Sequence, residues 1–348
     1  MKITLGEVGT YINGYAFKPS DWGTSGLPII RIQNLTNQNT IPNYFDGPYN
    51  SKFEVNKGDI LIAWSGSLGI HVWQKNKALL NQHIFRVEFN KCEIDKMYFY
   101  YAVKHNIHKM LHLTHGATMR HIIKSDFEQI IIPYPSLDVQ AKISKRLNYL
   151  EQNIINYRII LSKLDLLIKS RFDELIMGDK CDRLMFNDLF FCTTGKLDSN
   201  AAVKGGRYPF FTCAKEIFYI NDYAFDQEAL LLAGNNAAGK YDIKYYNGKF
   251  NAYQRTYVLS LRKKGIYSIF KKQLEDKLEY LQSQSKGSTT RYLTMGILKN
   301  LTFCVPDMEI QLKLDKEIRQ INKLKSDVQK SIDETQLLMD SLMQEYFG

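Results

Sequence analysis

Cysteine is scarce in this sequence: five in 348 residues, at Cys92, Cys181, Cys192, Cys213 and Cys304, none of them in a Cys-x-x-Cys pair. That excludes a zinc ribbon and a dithiol redox motif, and five free thiols in a reducing compartment are expected. Long apolar runs are missing as well. No stretch approaches the ~18 apolar residues of a membrane helix, so no membrane association is expected. Residues 1–10 carry Lys2 and Glu7 and no apolar run, so a secretory leader is not expected and a cytoplasmic location is. Acidic residues are in deficit, 36 against 46 Lys plus Arg, for a net charge of +10. A surplus of that size favours an anionic partner, nucleic acid before a membrane surface. With 45% hydrophobic and 24% charged residues the chain can bury ordinary cores, and its length suits roughly two domains.

The motifs of common catalysts are also missing. Gly234-Asn-Asn-Ala-Ala-Gly239-Lys240 approaches a phosphate-binding loop, but Tyr241 stands where the magnesium-binding hydroxyl belongs. The residues that follow read as strand, so no helix N-terminus would meet phosphates. Ser65-Gly-Ser67-Leu-Gly69 has Ser in place of the first glycine of a nucleophile elbow. The Asn-Pro-Pro-aromatic tetrapeptide of adenine methyltransferases does not occur. All seven histidines lie in the first half, and His105, His108, His112 and His115 share one side of an expected helix. The spacing of His108 and His112 would permit a metal, but no Cys, Asp or Glu completes a ligand set, so a solvated or phosphate-facing helix is expected and no metal.

What is present is written twice. At an offset of 171, Gly116-Ala-Thr-Met-Arg120 falls on Gly287-Ser-Thr-Thr-Arg291, Pro135 on Pro306, and Gln140 on Gln311. At an offset of 181, Leu5 meets Phe186, Gly14 meets Gly195 and Pro28 meets Pro209. Each half is thus a variable module followed by a gaplessly aligned tail. In the first tail Ile143, Leu147, Leu150, Ile154, Tyr157, Leu161, Leu164, Ile168 and Leu175 recur at alternating spacings of three and four, with Arg171 in the missing place. The second repeats the pattern at Leu314, Ile318, Ile321, Val328, Ile332, Met339, Leu342 and Tyr346, interrupted by Lys325 and Thr335. These heptad seams predict helices of about 60 Å that bury each other. The modules read as mixed α/β, with short β-rich runs at 59–64, 84–89, 229–233 and 257–261, helices over 95–115 and 266–283, and closing strands at 130–132 and 301–305. The expected class is α+β, divided at 1–136, 137–178, 179–306 and 307–348. The modules carry net +4 and +7, the first helix +2 and the second −3. Positive charge therefore sits where phosphates would need it, and the acidic second helix suits a protein contact.

Gly58-Asp-Ile-Leu-Ile-Ala-Trp-Ser-Gly-Ser-Leu-Gly69, then Leu80-Asn-Gln-His-Ile84, then Gly-x-Thr-x-Arg, a strand ending in Pro and Gln140 opening a long helix form an order that occurs twice. Over its full length this order resembles the specificity subunit of Type I restriction–modification systems. Module two departs from it, with Ala-Gly-Asn-Asn-Ala-Ala-Gly at 233–239. The resemblance implies two target-recognition domains in tandem, each reading half of a split double-stranded DNA site, and an antiparallel coiled coil that fixes their distance. It further implies that the chain is no enzyme and that it docks two copies of a DNA-adenine methyltransferase subunit, which carries S-adenosylmethionine, with ATP-dependent restriction subunits as additional partners. No cofactor is expected in the chain itself. Leaving the resemblance aside, the same layout also suits an adaptor whose two modules bind proteins.

Base reading needs Arg, Lys, Asn or Gln on loops, because these side chains match base edges. Module one offers Arg31, Gln33 and Asn34 after a strand, Ser65 and Ser67 in the glycine-rich turn, and Gln82 and His83. Module two offers Lys215, Asn235, Asn236, Gln254 and Arg255. Arg120 and Arg291 hold equivalent places, which suits phosphate contact, since base readers should differ between the halves.

Overall fold

The structure, a computed structural model, describes residues 1–37, 39–112, 121–176, 181–237, 239–287 and 289–348, and of residues 108–112 the backbone only. Two compact units result. The first comprises Met1–Ile159 and Gln329–Gly348, the second Ile160–Val328. Each unit therefore contains one module and part of both long helices, Leu137–Ile176 and Met308–Phe347.

The two modules repeat one plan. In the first, Lys2–Thr4 pairs antiparallel with Ile131–Pro133, as Asp182–Met185 does with Thr302–Val305 in the second. Thr10–Asn13, Ile84–Glu88, Ile60–Ala63 and Gly69–Val72 form one sheet in that order, and a second holds Asn43–Phe45, Leu27–Ile30, Ala78–Leu80 and Glu54–Val55. In module two the counterparts merge. The ten-residue strand Ile243–Ala252 pairs antiparallel with Phe225–Ala233 and then parallel with Tyr208–Phe211, giving one six-stranded sheet. The run Thr256–Leu261 is an inner strand of this sheet and is covered on both faces: the adjacent Val258 and Leu259 are both buried, each in a different apolar cluster. The expected 266–283 helix is instead two, Tyr267–Glu275 and Leu278–Gln284. The break at Asp276 and Lys277 carries Leu281 into the core with Phe186, Phe190, Leu259 and Phe303.

The heptad seam is the side the helices bury. In the second unit Leu164, Ile168 and Leu175 meet Leu314, Ile318 and Ile321 over Ile269 of the module. Arg171, the residue out of pattern, donates from Nε and Nη2 to Glu317 at 2.9 and 3.0 Å. Lys325 ion-pairs with Asp165. An earlier place on the first helix thus faces a later place on the second, so the pairing is antiparallel. In the first unit Arg146 donates to the Tyr346 hydroxyl at 3.1 Å, and the Phe347 ring lies 5.2 Å from that of Tyr98 in the module. Both polar interruptions have partners: Lys325 in that ion pair, Thr335 through its hydroxyl on the Ser331 carbonyl at 2.6 Å.

A buried glutamine starts each helix. Gln140 is fully buried; its Oε1 accepts the Asp95 N–H at 3.0 Å and its Nε2 donates to the Pro135 carbonyl at 2.8 Å. Gln311 does the same with the Ile266 N–H at 2.9 Å and the Pro306 carbonyl at 2.8 Å. One side chain thereby joins a backbone N–H at the start of the module helix to the proline carbonyl two residues before the long helix.

The thiol expectation fails at two positions. Cys181 and Cys304 form a disulfide, with Cα atoms 5.6 Å apart. They lie 123 residues apart in sequence, and only the strand pairing that sets Arg183 opposite Cys304 brings them together. Cys92, Cys192 and Cys213 are free thiols. Among the described residues no helix is long and apolar enough to cross a membrane.

Replacing Gln140 or Gln311 with Ala should each cost roughly 1–3 kcal/mol, because a buried N–H and a buried carbonyl lose their partner. Denaturant unfolding of the full chain measures this; a loss below a few tenths of a kcal/mol would show that water replaces the amide.

Candidate DNA-reading rims

The loops after equivalent strands are held by the same backbone hydrogen bonds in both modules. Trp64 N–H donates to the His83 carbonyl at 3.3 Å and Ile122 N–H to the Trp64 carbonyl at 3.0 Å. In module two Gly234 N–H donates to the Arg255 carbonyl and Leu293 N–H to the Gly234 carbonyl, both at 2.8 Å. The Tyr15–Asn81 and Ser65–His121 bridges correspond to Leu197–Tyr253 and to the short ladder Asn235↔Tyr292, Asn236↔Arg291. Each module thus presents one rim assembled from segments far apart in sequence.

In module two the rim gathers most of the expected residues. Gln254 and Arg255 are exposed at the start of a strand. Asn235 and Asn236 pair with Tyr292 and Arg291 beside them. Asn236 Oδ1 accepts the Lys240 N–H at 3.2 Å, and Arg291 Nη1 donates to the Gln282 carbonyl at 3.3 Å. Lys215 is exposed on the adjoining loop, two residues after Cys213, whose Sγ is 3.5 Å from the Arg255 carbonyl oxygen. Gly239 has φ +68°, and a Cβ there would stand 2.9 Å from Arg291 Cδ, so the turn needs glycine. The segment that suggested a phosphate loop is therefore a tight turn leading into Ile243–Ala252, with no helix after it.

In module one Gln82 and His83 lie side by side, their Nε2 atoms 3.2 Å apart. Ser67 is exposed in the turn, whereas Ser65 is buried by its bridge to His121. Gln33 is exposed on the short helix Ile32–Thr36. Asn34 is buried and holds that helix in place: its Oδ1 accepts the Arg31 N–H at 3.0 Å and its Nδ2 donates to the Thr40 carbonyl. The Arg31 guanidinium lies over the Trp22 ring at 4.7 Å and donates to Asn43 Oδ1. Ser65 is thus turned inward at the rim and Asn34 braces its own short helix, while Gln33 and Ser67 are exposed and Gln82 and His83 lie together beside the Trp64 hydrogen bond. Arg120 lies outside the described residues, as do His115 and the side chains of His108 and His112.

Aromatic residues complete both rims, and the sequence reading did not single them out. The Trp64 indole lies 5.6 Å from the Phe85 ring at an interplanar angle of 24°, 5.7 Å from His83, and donates to Asn13 Oδ1 at 3.3 Å. In module two Tyr257 occupies the place of Phe85 and its hydroxyl donates to the Leu293 carbonyl at 3.0 Å. Burial pushes that hydroxyl above the ordinary tyrosine value, which keeps it protonated as a donor. The offset of 171 puts His121 on Tyr292, so the sequence signal for this pair existed.

The family model described as "Type I restriction modification DNA specificity domain" matches residues 1–163 and 186–334. The chain is 39% identical over 146 residues to the Type I restriction enzyme EcoDI specificity subunit of Escherichia coli, covering 40% of this chain and 31% of that one. It is 25% identical over 195 residues to the EcoBI specificity subunit of the same organism, covering 56% and 41%. The chain thus spans less than half the length of these curated relatives. The S subunit of a Type I restriction–modification system from M. genitalium has a similar fold, with TM-score 0.63 and 16% identity over 100% of this chain and 96% of that one. A chain from a structure on complex assembly and conformational transition of the Type I R-M system superposes with TM-score 0.57 and 14% identity, over 99% and 97%. With its family model matched in both halves, the chain belongs to the Type I restriction–modification DNA specificity family.

Proposed function

We propose that the chain reads a bipartite double-stranded DNA sequence, one half with each module, and catalyses nothing itself. The observation that carries this is the repeated rim: one hydrogen-bonded scaffold presents Gln82 and His83 in one module and Gln254 and Arg255 in the other. A conserved frame with different reading side chains suits two different half-sites. Glutamine and arginine match adenine and guanine edges bidentately in the major groove. The net charges of +4 and +7 on the modules supply the attraction to phosphates. An adaptor for two proteins would not need that basic surplus on both modules.

The partners follow from the helices. Ile155, Ile159, Leu337 and Leu338 in the first unit and Leu166, Leu167 and Leu324 in the second are exposed away from the buried seam. Exposed leucines and isoleucines on a long helix suit a protein partner. Two DNA-adenine methyltransferase subunits bringing S-adenosylmethionine are the partners of this reading, with ATP-dependent restriction subunits able to join, in the cytoplasm where the DNA is.

Purified chain without partners should show no methyl transfer, DNA cleavage or ATP hydrolysis; turnover by it would overturn the non-catalytic assignment. Exchanging residues 179–306 for the module of another family member should change one half of the methylated site and leave the other, as read by methylome sequencing. A change of both halves would show that the modules do not read separately. Gln254→Ala or Arg255→Ala should cost about 1–3 kcal/mol of discrimination at particular base pairs. Equal weakening on every sequence, measured by competition binding, would instead make them phosphate contacts.

A further inference from the structure

The two rims differ at one place by the volume of an indole. In module one Trp64 fills the space between Asn13, His83 and Phe85. At the equivalent place module two has Gly234, and the space is open: a cavity of ≈ 390 Å³ lined by Thr194, Gln254, Arg255, Tyr257, Tyr292 and Leu293. The correspondence is residue by residue. Thr194 stands for Asn13, Arg255 for His83, Tyr257 for Phe85 and Tyr292 for His121, each through an equivalent ladder or backbone hydrogen bond. Gly234 cannot be refilled without a shift, because a Cβ there would stand 2.3 Å from the Arg255 carbonyl oxygen and 3.0 Å from the Tyr257 ring. The strands are drawn together, 2.8 Å against 3.3 Å in the matching hydrogen bond, and the side-chain space is left vacant.

We propose that this slot receives one purine base extruded from the bound DNA, an inference that rests on the DNA-reading function. A purine is a fused six- and five-membered ring, as an indole is, and it would occupy in module two the place that Trp64 occupies in module one. Tyr257 lines the slot from the ladder place of Phe85, the ring on which Trp64 stacks. Thr194 lines the slot from the ladder place of Asn13, whose Oδ1 receives the indole N–H. Gln254 and Arg255, both exposed at the mouth, supply the donors and acceptor that read a base edge. Among the described residues the Gln254 side chain has a 3.4 Å contact to Asp198 Oδ2, long enough to be given up for a ligand. Stacking on an aromatic ring and hydrogen bonding at the edge are how extruded bases are commonly held, and they offset the unstacking cost. Module one, with Trp64 in the slot, would read its half-site without extrusion.

The test uses the full chain without a methyltransferase, since such enzymes extrude their own target base. Selection from random duplexes first yields the preferred sequence. 2-Aminopurine, which brightens when unstacked, is then placed at each purine position in turn. Binding should raise fluorescence several-fold at one position in the half-site assigned to module two and at none in the half assigned to module one. Thr194→Trp places an indole in the slot and should abolish the rise while the module-one half-site is still preferred; its thermal unfolding should match the parent. Should that variant fail to fold, Gln254→Ala serves instead, lowering the rise at the same position. Sequence-preferring binding with no rise at any position, or a rise that survives Thr194→Trp, would overturn the slot and leave the DNA reading standing. Absence of any sequence preference would overturn the DNA reading, and the slot with it.

Discussion

Each unit is held together by an apolar stripe that one helix cannot bury alone. A 40-residue helix with a hydrophobic residue at every third or fourth place exposes a seam along its whole length. Here the seam is closed by a second helix of the same length running the other way. The consequence is that neither unit is continuous in sequence. The first needs Gln329–Gly348, whose Phe347 ring packs on Tyr98 and whose Tyr346 hydroxyl accepts from Arg146. The second needs the end of the first helix and the start of the last. Where the apolar pattern lapses, at Arg171 and Lys325, carboxylates of the opposite helix meet the charge. These pairs are part-exposed and contribute register more than stability.

On that frame, duplication supplies two copies of one loop scaffold. The retained parts are hydrogen bonds of the backbone and the buried glutamines Gln140 and Gln311, which act through geometry rather than identity of the loops. The altered parts are side chains at the rim. Trp64 against Gly234, His83 against Arg255 and His121 against Tyr292 change shape and hydrogen-bonding capacity while the strands beneath keep their pairing. Such an arrangement lets the rim diverge while the strands keep their register; Trp64 still packs on the buried Phe85, so its counterpart Gly234 leaves a gap rather than a different contact.

The disulfide has a different logic. Cys181 follows the first long helix and Cys304 lies in the closing strand of module two, so the bond ties the entry of the module to its exit. Closing a long loop removes conformational freedom from the unfolded chain, which stabilises the folded one. Cys192, by contrast, is a free thiol that burial pushes up to about 12, so it packs as an apolar side chain.

Periodicity and repetition were legible in the sequence because they are local and recur. The heptad spacing placed both long helices, and the β-rich runs at 59–64 and 229–233 fall on the strands Ile60–Ala63 and Phe225–Ala233. Gln254, Arg255, Asn235 and Asn236 were named from residue type and loop position and Arg291 from its equivalence to Arg120, and the fold brings all five to one rim. Tertiary structure decided the rest. It turned Asn34 and Ser65 inward, since residue type cannot say whether a polar side chain caps a helix or faces solvent. It split the 266–283 helix so that Leu281 could reach the core. It joined two cysteines 123 residues apart, because strand register is not written in spacing. It left a cavity at Gly234 where Trp64 fills its counterpart, because an empty volume depends on every side chain around it and on none alone.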